Sequence, residues 1–154
     1  MEITPLWLAE RYGTVREFAG ADHHPAIQWW HLNAGLGRHQ ADETSWCGSY
    51  VHNIAWELDL DRPSLPARAR SWLTVGEPIA LDDLTPGFDV VILCRGVGPQ
   101  PGADVIDAPG HVGFFVKLDA MSVWLCGGNQ GDKVSVAPFP QERFLGGRRL
   151  RRVS

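Results

Sequence analysis

Two hydrophobic periods divide this chain, and their order constrains the fold more than any other feature. Up to about residue 77, apolar side chains recur every three to four positions. From residue 88 onward they come in short runs cut by Gly, Asp and Pro. Four helical segments are expected. "PLWLAERY" (5–12) has Pro at its start and Gly13 after it, and "PAIQWWHLN" (25–33) is ended by "AGLG". The longest covers residues 44–58, and "ARARSWLTVG" (67–76) is closed by Gly76. Strands are expected in "FDVVILCRG", "HVGFFVKLD", "SVWLCGG", "KVSVAPF" and "RFLGGRRL". Helices first and strands after imply one α+β domain over residues 1–154, with N-terminal helices packed on a central antiparallel β-sheet. The helical part covers about 1–77 and the sheet part about 88–150.

The third helix places a cysteine at its beginning. In "DETSWCGSYV", Asp42 and Thr44 are capping types, and Trp46, Tyr50, Val51, Ile54, Ala55 and Leu58 follow at helical spacing. Cys47 then falls in the first turn. Free backbone N–H groups and the helix dipole favour an anion there, and a thiol becomes a better nucleophile. The competing reading is a small buried hydrophobe.

A nucleophilic cysteine needs a base, and the base needs an orienting group. Of the six histidines, four precede residue 40, and His52 is about 140° round the helix from Cys47. His111 remains, opening a strand after a loop of about fifteen residues (96–110). If the following hairpin is centred on Ala120, His111 lies opposite Asn129, on one face with Gly113 and Gly127. Val112, Phe114, Val116, Trp124 and Cys126 then form the core face. In this register Asn129 accepts the Nδ1 proton and Nε2 faces the thiol. Trp46, Trp72, Asp42 and the 96–110 loop are candidates for substrate contact, with the core an equal alternative for both tryptophans.

Other classes are disfavoured. A net charge of −4 argues against nucleic-acid binding. Three cysteines make neither a disulfide framework nor zinc spacing, and "DHHP" is a weak metal pair in a Pro-bounded loop, so no metal or cofactor is expected. No apolar run is long enough for a membrane span, and "MEITPLWLAERYG" lacks the features of a signal peptide. The basic tail "GGRRLRRVS" reads as a solvated end in preference to an anchor.

The order Cys, His, Asn, with the cysteine on a helix and the other two on a sheet, resembles the papain-like fold. The short spacing is similar to its NlpC-type and CHAP cell-wall cysteine peptidases, and above all to a small phage- and prophage-associated group among them. The likeness rests on "HPAIQWW", "DETSWCGSYV", "ARARSWLTVGEP", "PGFDVVILCRG", "GHVGFFV" and "GGNQGDKVSVAPFPQERFLGGR", nearly the whole chain. It implies a cysteine peptidase or amidase with Cys47 as nucleophile, His111 as base and Asn129 as orienter. The implied substrate is bacterial peptidoglycan, and the implied protein is a monomer made in the cytoplasm that acts on the wall after release by a holin, a phage or a secretion system. An immunity protein or a phage-tail or secretion component is a further implied partner. Trp46 stands where the NlpC type has Asp, and the Gln that many CHAP domains carry before the cysteine is absent. The second oxyanion donor is therefore sought in the loop 42–45. An acyltransferase of transglutaminase type and a non-catalytic wall-binding phage component are the alternatives.

Overall fold

The computed structural model describes residues 2–18, 23–37 and 45–153. Its three α-helices start where the sequence offers a proline or the cysteine turn. Helix α1 (Pro5–Glu10) has Pro in its first turn and Thr4 as cap, whose Oγ1 accepts from the Trp7 N–H at 3.1 Å. It is shorter than the periodicity suggests, because Arg11, Tyr12 and Gly13 close into a turn on Leu8, Ala9 and Glu10. Helix α2 (Pro25–Asn33) has the bounds read from the sequence. His24 of "DHHP" is its cap, with Nδ1 accepting from the Ala26 N–H at 3.1 Å. Helix α3 (Cys47–Glu57) starts later than residue 44, with Trp46 at the cap position and no capping bond from that side chain. The fourth helical segment is a 3₁₀ helix, Ala69–Thr74.

The sheet is six-stranded and antiparallel throughout. Its strands are β1 (Glu77–Ile79), β2 (Asp89–Cys94), β3 (Gly110–Leu118), β4 (Ser122–Gly127), β5 (Ser135–Pro140) and β6 (Phe144–Arg149), in the spatial order β1-β6-β2-β3-β4-β5. Only β1 escaped the sequence reading. It is three residues long, contains Pro78 and lies at an edge, where a missing N–H does no harm. Strand β5, with Pro138 and Pro140, is the other edge.

Helices cover one face. Nine of the eleven residues of α3 are buried, and Tyr50, Val51 and Ile54 pack in one cluster with Val90, Ile92, Val112, Phe114 and Cys126 of the sheet. Each such side chain stabilises the packing by about 1.5–3 kcal/mol. On the other face a smaller cluster holds Val91, Leu93, Phe115, Val123 and Leu125, covered in part by Phe139 and Phe144. Trp30 is buried beside Tyr50, whereas its neighbour Trp29 is about half exposed against Trp56, since adjacent helical residues face apart.

The expectation that Trp124 is core needs correction. A bulge between Phe115 and Lys117 puts Lys117 opposite Trp124, with Nζ 4.6 Å from a ring centroid, and the indole N–H donates to Asp119 at 2.7 Å. All three cysteines are free. Cys126 is buried as read, and burial is the main cause that pushes its thiol up to about 11. Cys94 is only half-buried.

Arg70 is buried on the 3₁₀ helix. Its Nε donates to Pro109 O at 2.9 Å, and its Nη1 lies 2.9–3.2 Å from the carbonyls of Pro101, Gly102 and Val105. One cation thus pins the long loop to the helical layer. Arg70→Met is expected to strip those carbonyls of their donor, to cost on the order of 3 kcal/mol, and to speed amide exchange across 101–109. Hydrogen exchange read by mass spectrometry checks it; unchanged protection of that loop would refute the pinning role.

Candidate active site

The site forms where the start of α3 meets the start of β3. Cys47 is the first residue of α3, and Tyr50 N–H donates to Trp46 O at 2.9 Å, so the helical ladder begins behind the thiol. The Cys47 sulfur receives a hydrogen bond from the Val112 backbone N–H, lies 3.8 Å from Ser45 Oγ, and is hydrogen-bonded to His111. The thiol is 1% exposed and forms part of the wall of a cleft.

Burial is the largest influence on the Cys47 thiol and pushes its pKa up. The hydrogen bond to His111, the charge of that ring, the Val112 N–H and the Ser45 hydroxyl together pull it the other way, to about 7 from an ordinary 9.0. Burial likewise opposes charge on His111. The hydrogen bond and charge of Cys47 and the bond to Gln130 outweigh it, even with the Arg95 guanidinium nearby, and raise the imidazole above its ordinary 6.5. Both shifts favour the same state, a thiolate beside an imidazolium.

The orienting group differs from the one expected. His111 Nε2 is 2.8 Å from Gln130 Oε1, and the ring stacks on Phe139 with centroids 5.0 Å apart. Since Nε2 is engaged by Gln130, Nδ1 is the nitrogen left to the thiol, the reverse of the expected ring orientation. The anticipated hairpin register does hold at Phe114↔Cys126 and Phe115↔Leu125. Strand β4 nevertheless ends at Gly127, and Asn129 sits in the left-handed region at φ +58°. The residue extrapolated opposite His111 has therefore left the ladder, and the turn returns its successor to the ring. Asn129 stays beside His111 as a cleft residue.

Gln130 is firmly held. Its Nε2 donates to Leu125 O at 3.1 Å and Ser135 O at 2.8 Å, which fixes Oε1 as the atom presented to the imidazole. The glycine at 127 makes the space: a Cβ there would lie 2.3 Å from Gln130 Oε1. Gln130→Ala is expected to lower kcat/KM on the order of 10–10³-fold, and Asn129→Ala to stay within a few-fold of the parent. Kinetics of both variants, with unfolding curves to verify the fold, would reverse the assignment if the order came out opposite.

Two other expectations change. Trp46 and Trp72 are wholly buried, so neither ring is available to a substrate. Trp46 donates from Nε1 to Glu17 at 2.9 Å and packs so closely on Gly128 that a Cβ there would lie 2.6 Å from its ring; it is the platform for the turn that carries Gln130. Trp72 donates to Pro66 O at 2.9 Å. Asp42, with Thr44, lies outside the described residues. The long loop does form a wall, through Asp107, Pro109 and Gly110.

Two clefts flank the Cys47–His111 pair and share Arg95. One, about 520 Å³, lies on the thiol side and includes Ser45, Arg68 and Asp107. The other, about 420 Å³, lies on the imidazole side and includes Gln130, Phe139 and Arg143. The sequence reading held Gln130 only as the fallback orienter should Asn129 fail, and it missed Arg95 and Arg143. A signal for Gln130 existed in Gly113 and Gly127, which leave that face of the hairpin open beside His111. Among the described residues no helix is long and apolar enough to cross a membrane. Set against known proteins, the chain matches no family model and no curated protein.

Proposed function

We propose that this protein is a cysteine amidohydrolase of the papain-like NlpC/CHAP type that cleaves an amide bond in bacterial peptidoglycan. The observation that carries the reading is the buried Cys47–His111–Gln130 chain, with the thiol on the first residue of a helix and pulled to about 7. A structural cysteine has no need of a hydrogen-bonded histidine or a third group on its far nitrogen. The helices-on-antiparallel-sheet layout and the motif resemblance support the fold type.

In this mechanism the Cys47 thiolate adds to the amide carbonyl carbon, and the new oxyanion is met by the Cys47 backbone N–H at the helix start. As the C–N bond breaks, His111 Nδ1 passes its proton to the departing amine. The neutral ring then takes a proton from water, whose oxygen attacks the thioester. Breaking the C–S bond releases a carboxylate and restores the thiolate. Gln130 keeps the ring in one orientation through both half-reactions and favours its charged form. The decisive experiment is digestion of purified sacculi with product identification by mass spectrometry. New amine and carboxylate ends at one bond type support the reading; intact sacculi at neutral pH, with Cys47 reduced, overturn it. Adding a primary amine separates hydrolysis from acyl transfer, since a transferase would yield the amide of that amine.

A further inference from the structure

We infer that the cleft on the His111 side is a carboxylate-binding subsite for the departing half of the substrate, built on Arg95 and Arg143. The word "departing" rests on the hydrolase reading, because the amine that receives the His111 proton must lie on that side of the scissile bond.

The charge of the cleft is one-sided. Among its described residues Arg95 and Arg143 carry the fixed charge, and no acidic side chain joins them. The thiol-side cleft, by contrast, sets Asp107 against Arg68 and Arg95. Arg149 has a carboxylate partner in Asp89, and Arg151 has one in Glu77. Among the described residues Arg95 and Arg143 have none. Arg143 is nonetheless positioned: its Nε donates to Cys94 O at 3.1 Å, which anchors the guanidinium and leaves both Nη atoms for a ligand. Arg95 makes one long contact, 3.4 Å from Nη1 to Ser45 Oγ, and its charge is felt at His111. An anchored guanidinium beside a second cation matches the two oxygens of a carboxylate. Phe139, which stacks on His111, gives the cleft an apolar side for a short aliphatic stem.

Calorimetric titration of the catalytically silent Cys47→Ala protein tests this without turnover. The probes are the stem pentapeptide L-Ala-γ-D-Glu-L-Lys-D-Ala-D-Ala and the same peptide with both carboxylates amidated. The acid is expected to bind about 10-fold tighter than the diamide at low salt, with the gap shrinking as salt rises. Arg143→Gln in the same background should bring the two within about 2-fold, and Arg95→Gln should narrow the gap as an independent arm. Thermal unfolding verifies that each variant is folded. Equal binding of the two peptides, binding of neither, or a preference that survives both substitutions overturns the subsite. Digestion of sacculi by the parent protein reports on the hydrolase reading separately: cut sacculi with no acid preference sink only the subsite, and an arginine-dependent preference with uncut sacculi sinks only the hydrolysis.

Discussion

Cys47→Ala is expected to end sacculus digestion while leaving the unfolding transition close to that of the parent. The chemical loss is large because Cys47 is the thiol hydrogen-bonded to His111, whereas Cys126 lies beside Tyr50 and its own thiol is pushed up to about 11. Loss of a covalent nucleophile lowers turnover by about 10⁴-fold or more. The folding cost is small for a specific reason. Removing one member of a buried ion pair is usually severe, since it strands the other charge. Here the stranded group is an imidazole, and the hydrogen bond and charge that raise its pKa come mainly from Cys47. Without them burial and Arg95 favour the neutral ring, so His111 sheds its proton instead of carrying a buried charge. Muropeptide release and circular-dichroism melts, measured together, decide the matter. Residual activity near that of the parent in a folded variant would falsify the covalent mechanism.

His111→Ala should be nearly as damaging, and it also carries a titration signature that simple misfolding lacks. In the parent, alkylation of Cys47 by iodoacetamide should rise with pH through a midpoint of about 7, where the thiol ionises. Because this pKa is lowered, the reactive thiolate is present above about pH 7 and is lost as pH falls through that value. Hydrolysis should follow the same acid limb. It should then fall on the alkaline side, beyond the ordinary imidazole range, as His111 loses the proton that the leaving amine requires. In His111→Ala the desolvation that raises the thiol remains, while its strongest opponents are gone. The alkylation midpoint should therefore move back to the ordinary 9.0 or beyond, leaving about 50-fold less thiolate, or lower still, at neutral pH. A midpoint that stays near 7 would show that the thiol is lowered without the histidine, by groups such as the Val112 N–H and the Ser45 hydroxyl, and His111 would lose its assigned role.

The broad layout was legible because it depends on period and order. Helix α2 was readable to the residue, since Pro25 and the Gly35 of "AGLG" mark both ends, although the apolar residues between them do not form one clean stripe. The register linking Phe114 to Cys126 followed from hairpin length alone. The identity of the orienting group did not. Extending that register three pairs further, to His111 and Asn129, presumes that the ladder continues, and nothing in a two-residue period says that the chain turns off after Gly127. The misplaced tryptophans failed for another reason. An aromatic beside a reactive residue fits a groove wall or a structural platform equally well until burial is known, and for Trp46 the close approach of Gly128 makes it a platform. The four contacts of Arg70 had no sequence signal at all, because their acceptors are main-chain carbonyls that every residue possesses.

That last property bears on how such a protein can change over time. Every hydrogen bond described for Arg70 ends on a backbone oxygen, at Pro101, Gly102, Val105 or Pro109, and none ends on a side chain. The staple therefore constrains the path of the loop but not its chemistry. Side chains such as Asp104, Ile106 and Asp107 can be exchanged without removing an acceptor, provided the backbone conformation survives. A loop fixed in this way can present new wall residues to the thiol-side cleft while the start of β3 at Gly110 and His111, and hence the Cys47–His111 pair, stays put. Recognition can drift here under a single arginine, and the chemistry need not drift with it.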